Sequence, residues 1–265
     1  MRPNPVKQLL RSGKPAVGTW LSLGSVTAAR FMARAGFAWL TVDTEHTATG
    51  TETAATMFAA IADAGCVALA RVLSNRHDHI KRALDTGAMG VVVPMVNSRA
   101  EAEAAVSACL YPPGGTRSVG GSVHALNFGA AAADYFARAD DELLVVLQCE
   151  HIDAVEQADE IFSVPGIDAI FVGPNDLAAS MRGRDGSPPT ADATARAMKR
   201  ILEACRRHKV AAGVHCFSPA DAQQQIAEGW QFIAISSELR MMMDGAAAVL
   251  KPLRGDRPAA EAAKY

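Results

Sequence analysis

Short apolar, β-branched runs alternate with longer alanine-rich stretches along most of the chain. The runs are VGTWLSL (17–23), AWLTVD (38–43), VALARV (67–72), GVVVPMV (90–96), LLVVLQCE (143–150), IDAIFVG (167–173), VAAGVH (210–215) and FIAIS (232–236). They are near-continuously apolar, the pattern of strands buried on both faces, as in a parallel sheet covered by helices. Between them TAARFMARAG (27–36), HDHIKRALDTG (77–87), RAEAEAAVSACL (99–110) and TARAMKRILEACRRH (194–208) predict helices. Gly36, Gly65, Gly87 and Gly229 stand just before the next run, where they suit helix C-caps.

Eight such repeats in 265 residues predict one closed (β/α)8 barrel. An open doubly wound sheet would carry a glycine fingerprint after its first strand, and here that position reads GSVTA. Three stretches break the rhythm: the Gly/Pro-rich YPPGGTRSVGGSVHALNFG (111–129), SMRGRDGSPPT (180–190) and a polar tail. No interior linker divides the chain, so residues 1–265 read as a single domain, with 254–265 expected to be a flexible tail.

Composition narrows the function. The 26 basic and 28 acidic residues give a net charge of −2, so neither a nucleic acid nor an anionic membrane is expected as a partner. The opening MRPNPVKQLLRSGKP has no signal-peptide core and no stretch approaches a membrane span, which points to the cytoplasm. The five cysteines are scattered, with no CxxC pair, and read as neither a disulfide framework nor a zinc site.

In a closed barrel the reacting groups lie at the carboxyl ends of the strands. Here the second run ends in Asp43-Thr44-Glu45-His46, the third in Arg71, the fifth in Gln148-Cys149-Glu150, and the sixth leads into Gly173-Pro174-Asn175-Asp176. Glu150 and Asp176 on neighbouring strand ends would repel each other, and a divalent cation removes that conflict. Oxygen ligands suit Mg²⁺ or Mn²⁺, with Co²⁺ also accommodated. The plainer alternative has Asp176 capping a helix and Glu150 paired with Arg71. Arg71 itself reads either as an internal ion-pair partner or as a clamp on an oxygen that gains charge during reaction. Asp43, Glu45 and His46 form a compact acid/base group. His77 and His79 fall at a helix start and read as solvated, His208 suits a helix C-terminus, and His151 suits a helix start. His124 and His215 stand where they can line the mouth. The lysines considered for an imine, Lys81, Lys199, Lys209 and Lys251, fall in helices or at helix–strand junctions, which favours a metal route.

DTEH (43–46), the strand-end Arg71, YPPGGTRSVGG, LQCE and FVGPNDLAASM, in this order, resemble the HpcH/HpaI aldolase family from about residue 6 to residue 252. The resemblance implies a (β/α)8 TIM barrel of the phosphoenolpyruvate/pyruvate type and a metal-dependent class II aldolase. Such an enzyme cleaves 4-hydroxy-2-oxo acids to pyruvate and an aldehyde, and runs the reverse addition. It implies Glu150 and Asp176 as metal ligands, Arg71 at the pyruvate keto oxygen, His46 as acid/base residue, and Gln148 lining the site. Asp85 is implied to orient the histidine of a neighbouring subunit, within a hexamer that swaps its last helix; read alone, Asp85 is equally a solvated residue near a helix end. Thr44, Cys149 and Asn175 depart from the family's DGEH, QIE and GPADL. Asn175 bears on the pyruvate carboxylate and His215-Cys216 on the aldehyde end, so the departures touch substrate choice. Two other readings stand beside the aldolase: a citrate-lyase-β-like lyase acting on acyl-CoA substrates, and a pyruvate-binding barrel without catalysis.

Overall fold

The computed structural model describes residues 1–120 and 123–254, and in it all eight apolar runs are strands of one closed parallel barrel. They are β1 (Ala16–Leu21), β2 (Trp39–Asp43), β3 (Val67–Arg71), β4 (Gly90–Val93), β5 (Leu144–Gln148), β6 (Ala169–Val172), β7 (Ala211–Cys216) and β8 (Phe232–Ser237). Each pairs with its sequence neighbours, and β1 closes on β8. The tail expected to be flexible lies, beyond Arg254, outside the described residues. Among the described residues no helix is long and apolar enough to cross a membrane.

Alternate residues of a strand point to opposite faces, so the lumen takes every second side chain. Trp39 stacks on Phe232 with ring centroids 4.2 Å apart, Phe232 meets Phe171 at 6.0 Å, and Phe171 meets Trp20 at 5.4 Å. This chain of rings fills the lumen from β2 through β8 and β6 to β1. Gly18 makes room for it, because a Cβ there would overlap the Trp39 ring. Asp43 follows Trp39 and Thr41 on the same face of β2, and its register partner on β3 is Arg71. The lumen therefore changes from aromatic to charged within one layer.

The helices follow the predicted stretches with two adjustments. The first ends early: it spans Val26–Met32, and its remaining residues tighten into i→i+3 turns, Arg34 N–H to the Phe31 carbonyl and Ala35 N–H to that of Met32. Gly36, Gly65, Gly87 and Gly229 all adopt positive φ, between 82° and 115°, as C-terminal stops that only glycine accepts without strain. A further helix, Pro174–Ser180, stands between β6 and the loop at 181–190.

Candidate active site

Arg71 is the centre of the rim. Its Nε and Nη2 donate to the two oxygens of Asp43 at 2.9 and 2.6 Å, a bidentate pair set by the strand register. Its guanidinium lies 4.7 Å over the Trp20 ring, and Nε is 3.4 Å from Glu45 Oε2. Burial opposes the charge on Arg71, but Asp43, then Glu45 and Glu150, more than restore it, so the guanidinium is held charged. Among the described residues Nη1 has no protein partner, which leaves one donor edge for a ligand. Asp43 is 3% exposed and also accepts from the Glu45 and His46 amides at 3.0 and 3.3 Å. One carboxylate thus orients both the arginine and the turn that carries His46. Of the two readings of Arg71, the ion pair is present; it also aims the free edge.

Glu150, 4% exposed, accepts from the Met95 amide at 2.9 Å and from Gln148 Nε2. Met95 makes that contact from a left-handed backbone, φ 53°, which is costly for a side-chain-bearing residue. Burial pushes the Glu150 carboxyl up to about 7 against the pull of the Met95 amide, and the Asp176 and Glu45 charges add to the rise. Asp176, exposed on the first turn of the Pro174–Ser180 helix, makes no capping bond; the N-cap is Gly173, so the capping alternative does not hold. Nor does Glu150 pair with Arg71, whose partners are Asp43 and Glu45. Instead Glu150 and Asp176 face one small space: a Cβ on Gly173 would lie 2.9 Å from Glu150 Oε2 and 3.5 Å from Asp176 Oδ2. Beside it Gln148 Oε1 is buried without a partner, and Asn175 is exposed one residue before Asp176.

Glu45 is the rim carboxylate that motif reading gave no separate role. Burial raises it to about 7, Arg71 opposes the rise, and Asp43 and Asp176 reinforce it. His46 Nε2 lies 3.6 Å from its Oε2, with the ring 62% exposed to solvent. His215, the last residue but one of β7, lies at the mouth, where its Nδ1 is 3.1 Å from Trp20 Nε1. Burial, then the Arg71 charge, depresses its pKa to about 4.

The remaining candidates lie elsewhere. His124, one of two histidines standing in sequence where they can line the mouth, is buried between Tyr111, Tyr135 and Phe136, with Nε2 3.3 Å from the Tyr111 hydroxyl. The described residues of the long loop lie toward the amino end of the barrel, where Arg117 meets Asp85 and His124 packs in an aromatic cluster. Asp85, at the end of the His77–Asp85 helix, also faces that end, away from its own His46. It is not simply solvated: Arg117, wholly buried, donates to it at 2.7 Å and to the Tyr135 hydroxyl at 3.0 Å. His151 N-caps the Ile152–Glu156 helix. His77 is exposed and contacts the Thr116 carbonyl, His79 is half-buried beside Ser74, and His208 meets Asp159 at 2.9 Å. Lys7, buried with Asp168 at 3.0 Å, sits against the amino ends of β5 and β6. Among the described residues no lysine stands at the rim.

Residues 16–245 match the model of the HpcH/HpaI aldolase/citrate lyase family. A hydroxypyruvate/pyruvate aldolase of Paraburkholderia phytofirmans is 35% identical over 257 residues, covering 95% of this chain and 98% of the relative. A 4-hydroxy-2-oxo-heptane-1,7-dioate aldolase of Klebsiella pneumoniae is 34% identical over 246 residues, 93% of this chain and 92% of the relative. The crystal structure of an HpcH/HpaI aldolase/citrate lyase family protein from Burkholderia cenocepacia superposes with a TM-score of 0.88 at 35% identity, covering 95% of this chain and 100% of that one. The chain belongs to the HpcH/HpaI aldolase/citrate lyase family and is a carbon–carbon lyase.

Proposed function

We propose that the chain is a divalent-metal-dependent class II aldolase that cleaves 4-hydroxy-2-oxo acids to pyruvate and an aldehyde, and adds pyruvate to aldehydes in reverse. The observation that carries the reading is the half-buried, permanently charged Arg71, pre-aimed by Asp43 beside the paired carboxylates of Glu150 and Asp176. Cleavage between C3 and C4 leaves the electron pair on pyruvate as an enolate, so charge gathers on the C2 oxygen. The free Nη1 edge of Arg71 supplies a fixed donor for that oxygen in a site of low dielectric, where such a contact is worth most.

The residues present fit a divalent cation. The two carboxylates converge on the space left by Gly173, and burial together with the neighbouring Asp176 charge makes the charge on Glu150 costly without a counter-ion. Among the described residues no group of three or more His, Cys, Asp and Glu side chains gathers as a complete cage. Two carboxylates with the rest of the shell left to water and substrate is the habit of Mg²⁺ and of Mn²⁺. Glu150 and Asp176 would hold the ion, which when bound supplies Lewis-acid stabilisation of the C2 oxygen. Gln148 offers its unpartnered Oε1 to a donor on the bound molecule or its water. Asn175 borders the place of the pyruvate carboxylate. His46 takes the proton of the C4 hydroxyl as the bond breaks and returns it in the addition direction.

The reading extends to assembly. The helix Glu238–Arg254 leaves Met242, Met243, Val249, Leu250 and Leu253 exposed, more apolar surface than one helix of a lone barrel ordinarily shows. A homo-oligomer, on family grounds a hexamer, would cover it and bring Asp85 of one subunit to His46 of another. The function is tested by incubating the protein and Mn²⁺ with a 4-hydroxy-2-oxo acid while following pyruvate with lactate dehydrogenase, a 3-hydroxyacyl-CoA thioester such as citramalyl-CoA serving as the second substrate. Pyruvate released from the oxo acid alone supports the aldolase; cleavage of the thioester alone, or of neither, refutes it.

A further inference from the structure

Trp20 lies across the top of the lumen and joins two groups that the chain separates widely. Its face carries the Arg71 guanidinium at 4.7 Å, and its edge meets His215. An indole N–H can only donate. The 3.1 Å contact from Trp20 Nε1 therefore makes His215 Nδ1 an acceptor, and the neutral ring must carry its proton on Nε2. Burial and the neighbouring Arg71 charge keep the ring neutral through the physiological range. Phe217 packs edge-on against it with centroids 4.9 Å apart, so indole and phenyl together fix its plane. Among the described residues Nε2 has no protein partner, and it is not sealed from solvent. The result is a rigid, uncharged donor at the carboxyl end of β7, joined through Trp20 to the group that faces the enolate oxygen.

We infer that His215 is a specificity-determining residue: its Nε2–H donates to a hydroxyl oxygen on the aldehyde half of the substrate, selecting short α-hydroxylated aldehydes. The inference rests on the aldolase reading above. A neutral donor suits an uncharged hydroxyl, whereas a carboxylate-ended aldehyde would call for a cation. Arg71 does not supply one there, since two of its three nitrogens are engaged by Asp43 and the third serves the enolate.

The test compares glycolaldehyde with propanal, which replaces the hydroxyl by a methyl of similar size, as acceptors for pyruvate with Mn²⁺ present. The quantity read is the ratio of their kcat/KM values in wild type, His215→Leu and His215→Gln; intrinsic differences in aldehyde reactivity cancel between proteins. One neutral hydrogen bond to a solvent-reachable group corresponds to about a fivefold to tenfold change in that ratio. His215→Leu should lose it, and His215→Gln, which keeps an N–H donor, should regain much of it. His215→Phe serves as the donor-free variant should His215→Leu fail to fold. An unchanged ratio in the donor-free variant, or an equal loss with both aldehydes, overturns the assignment. Wild-type exchange of the pyruvate C3 protons in D2O separates the two levels. Exchange with an unchanged ratio removes only the role of His215; no exchange and no addition removes the aldolase reading and this inference with it.

Discussion

Replacing Arg71 by alanine should have two separable effects. The first is on stability. Asp43 is 3% exposed and both its oxygens accept from Arg71, so the substitution strands a buried carboxylate. Breaking one side of a buried pair costs about 3–5 kcal/mol. Here the cost should sit near the lower end, because the Glu45 and His46 amides still donate to Asp43. The second effect is on chemistry. A preorganised donor to a developing oxyanion is worth about 3–4 kcal/mol, a factor on the order of 10² to 10³ in rate. Adding Asp43→Asn to Arg71→Ala removes the stranded charge and should recover much of the stability, with turnover staying at the level of the single variant. Urea unfolding reports the first quantity. Loss of the pyruvate C3 proton signal by NMR in D2O reports the second, since it needs only the enolate and no aldehyde. If Arg71→Ala exchanges those protons at nearly the wild-type rate, or if the double variant recovers turnover along with stability, Arg71 is a structural partner of Asp43 and its assigned role is wrong.

Three further outcomes follow from the same geometry. Gly173→Ala should weaken Mn²⁺ binding by calorimetry with little change in the unfolding temperature in EDTA. The backbone there, φ −88°, accepts alanine, but the new Cβ would press on Glu150 Oε2; unaltered affinity would place the ion elsewhere. Glu45 keeps its proton up to about 7 in the folded chain against an ordinary value of 4.5, so between those limits the folded state binds more protons than the unfolded one. Stability of the metal-free protein should therefore fall as pH rises from about 4.5 to 7, and Glu45→Gln should flatten that fall in thermal scans; an identical slope would contradict the burial argument. Mixing His46→Ala with Asp85→Ala chains, unfolding and refolding them together, should regenerate some activity if the site spans two subunits, and none if each barrel is self-sufficient.

The strands were legible because strands of a closed parallel barrel are buried on both faces and leave an unbroken apolar signature. The rim was legible for the complementary reason. Asp43, Arg71, Gln148 and Glu150 are costly where apolar runs end, so their position alone marked them. The turn that shortens the first predicted helix was not, because TAARFMARAG is helical by propensity throughout and i→i+3 turns leave no composition mark. The place of His124 was not legible, because spacing does not say which end of the barrel a long loop lies toward. The Trp20–His215 contact joins residues 195 positions apart across a lumen whose curvature exists only once β1 closes on β8. Gly173 reads in sequence as an ordinary helix start, and only the converging carboxylates reveal the space it keeps open.

The central claim, an enolate stabilised with a divalent ion held by Glu150 and Asp176, is tested most directly by pyruvate release from a 4-hydroxy-2-oxo acid before and after exhaustive chelation. Activity should vanish with EDTA and return with Mg²⁺ or Mn²⁺, and borohydride added with pyruvate should leave no covalent adduct on the protein. Full activity after chelation, or a lysine trapped by borohydride, would contradict it.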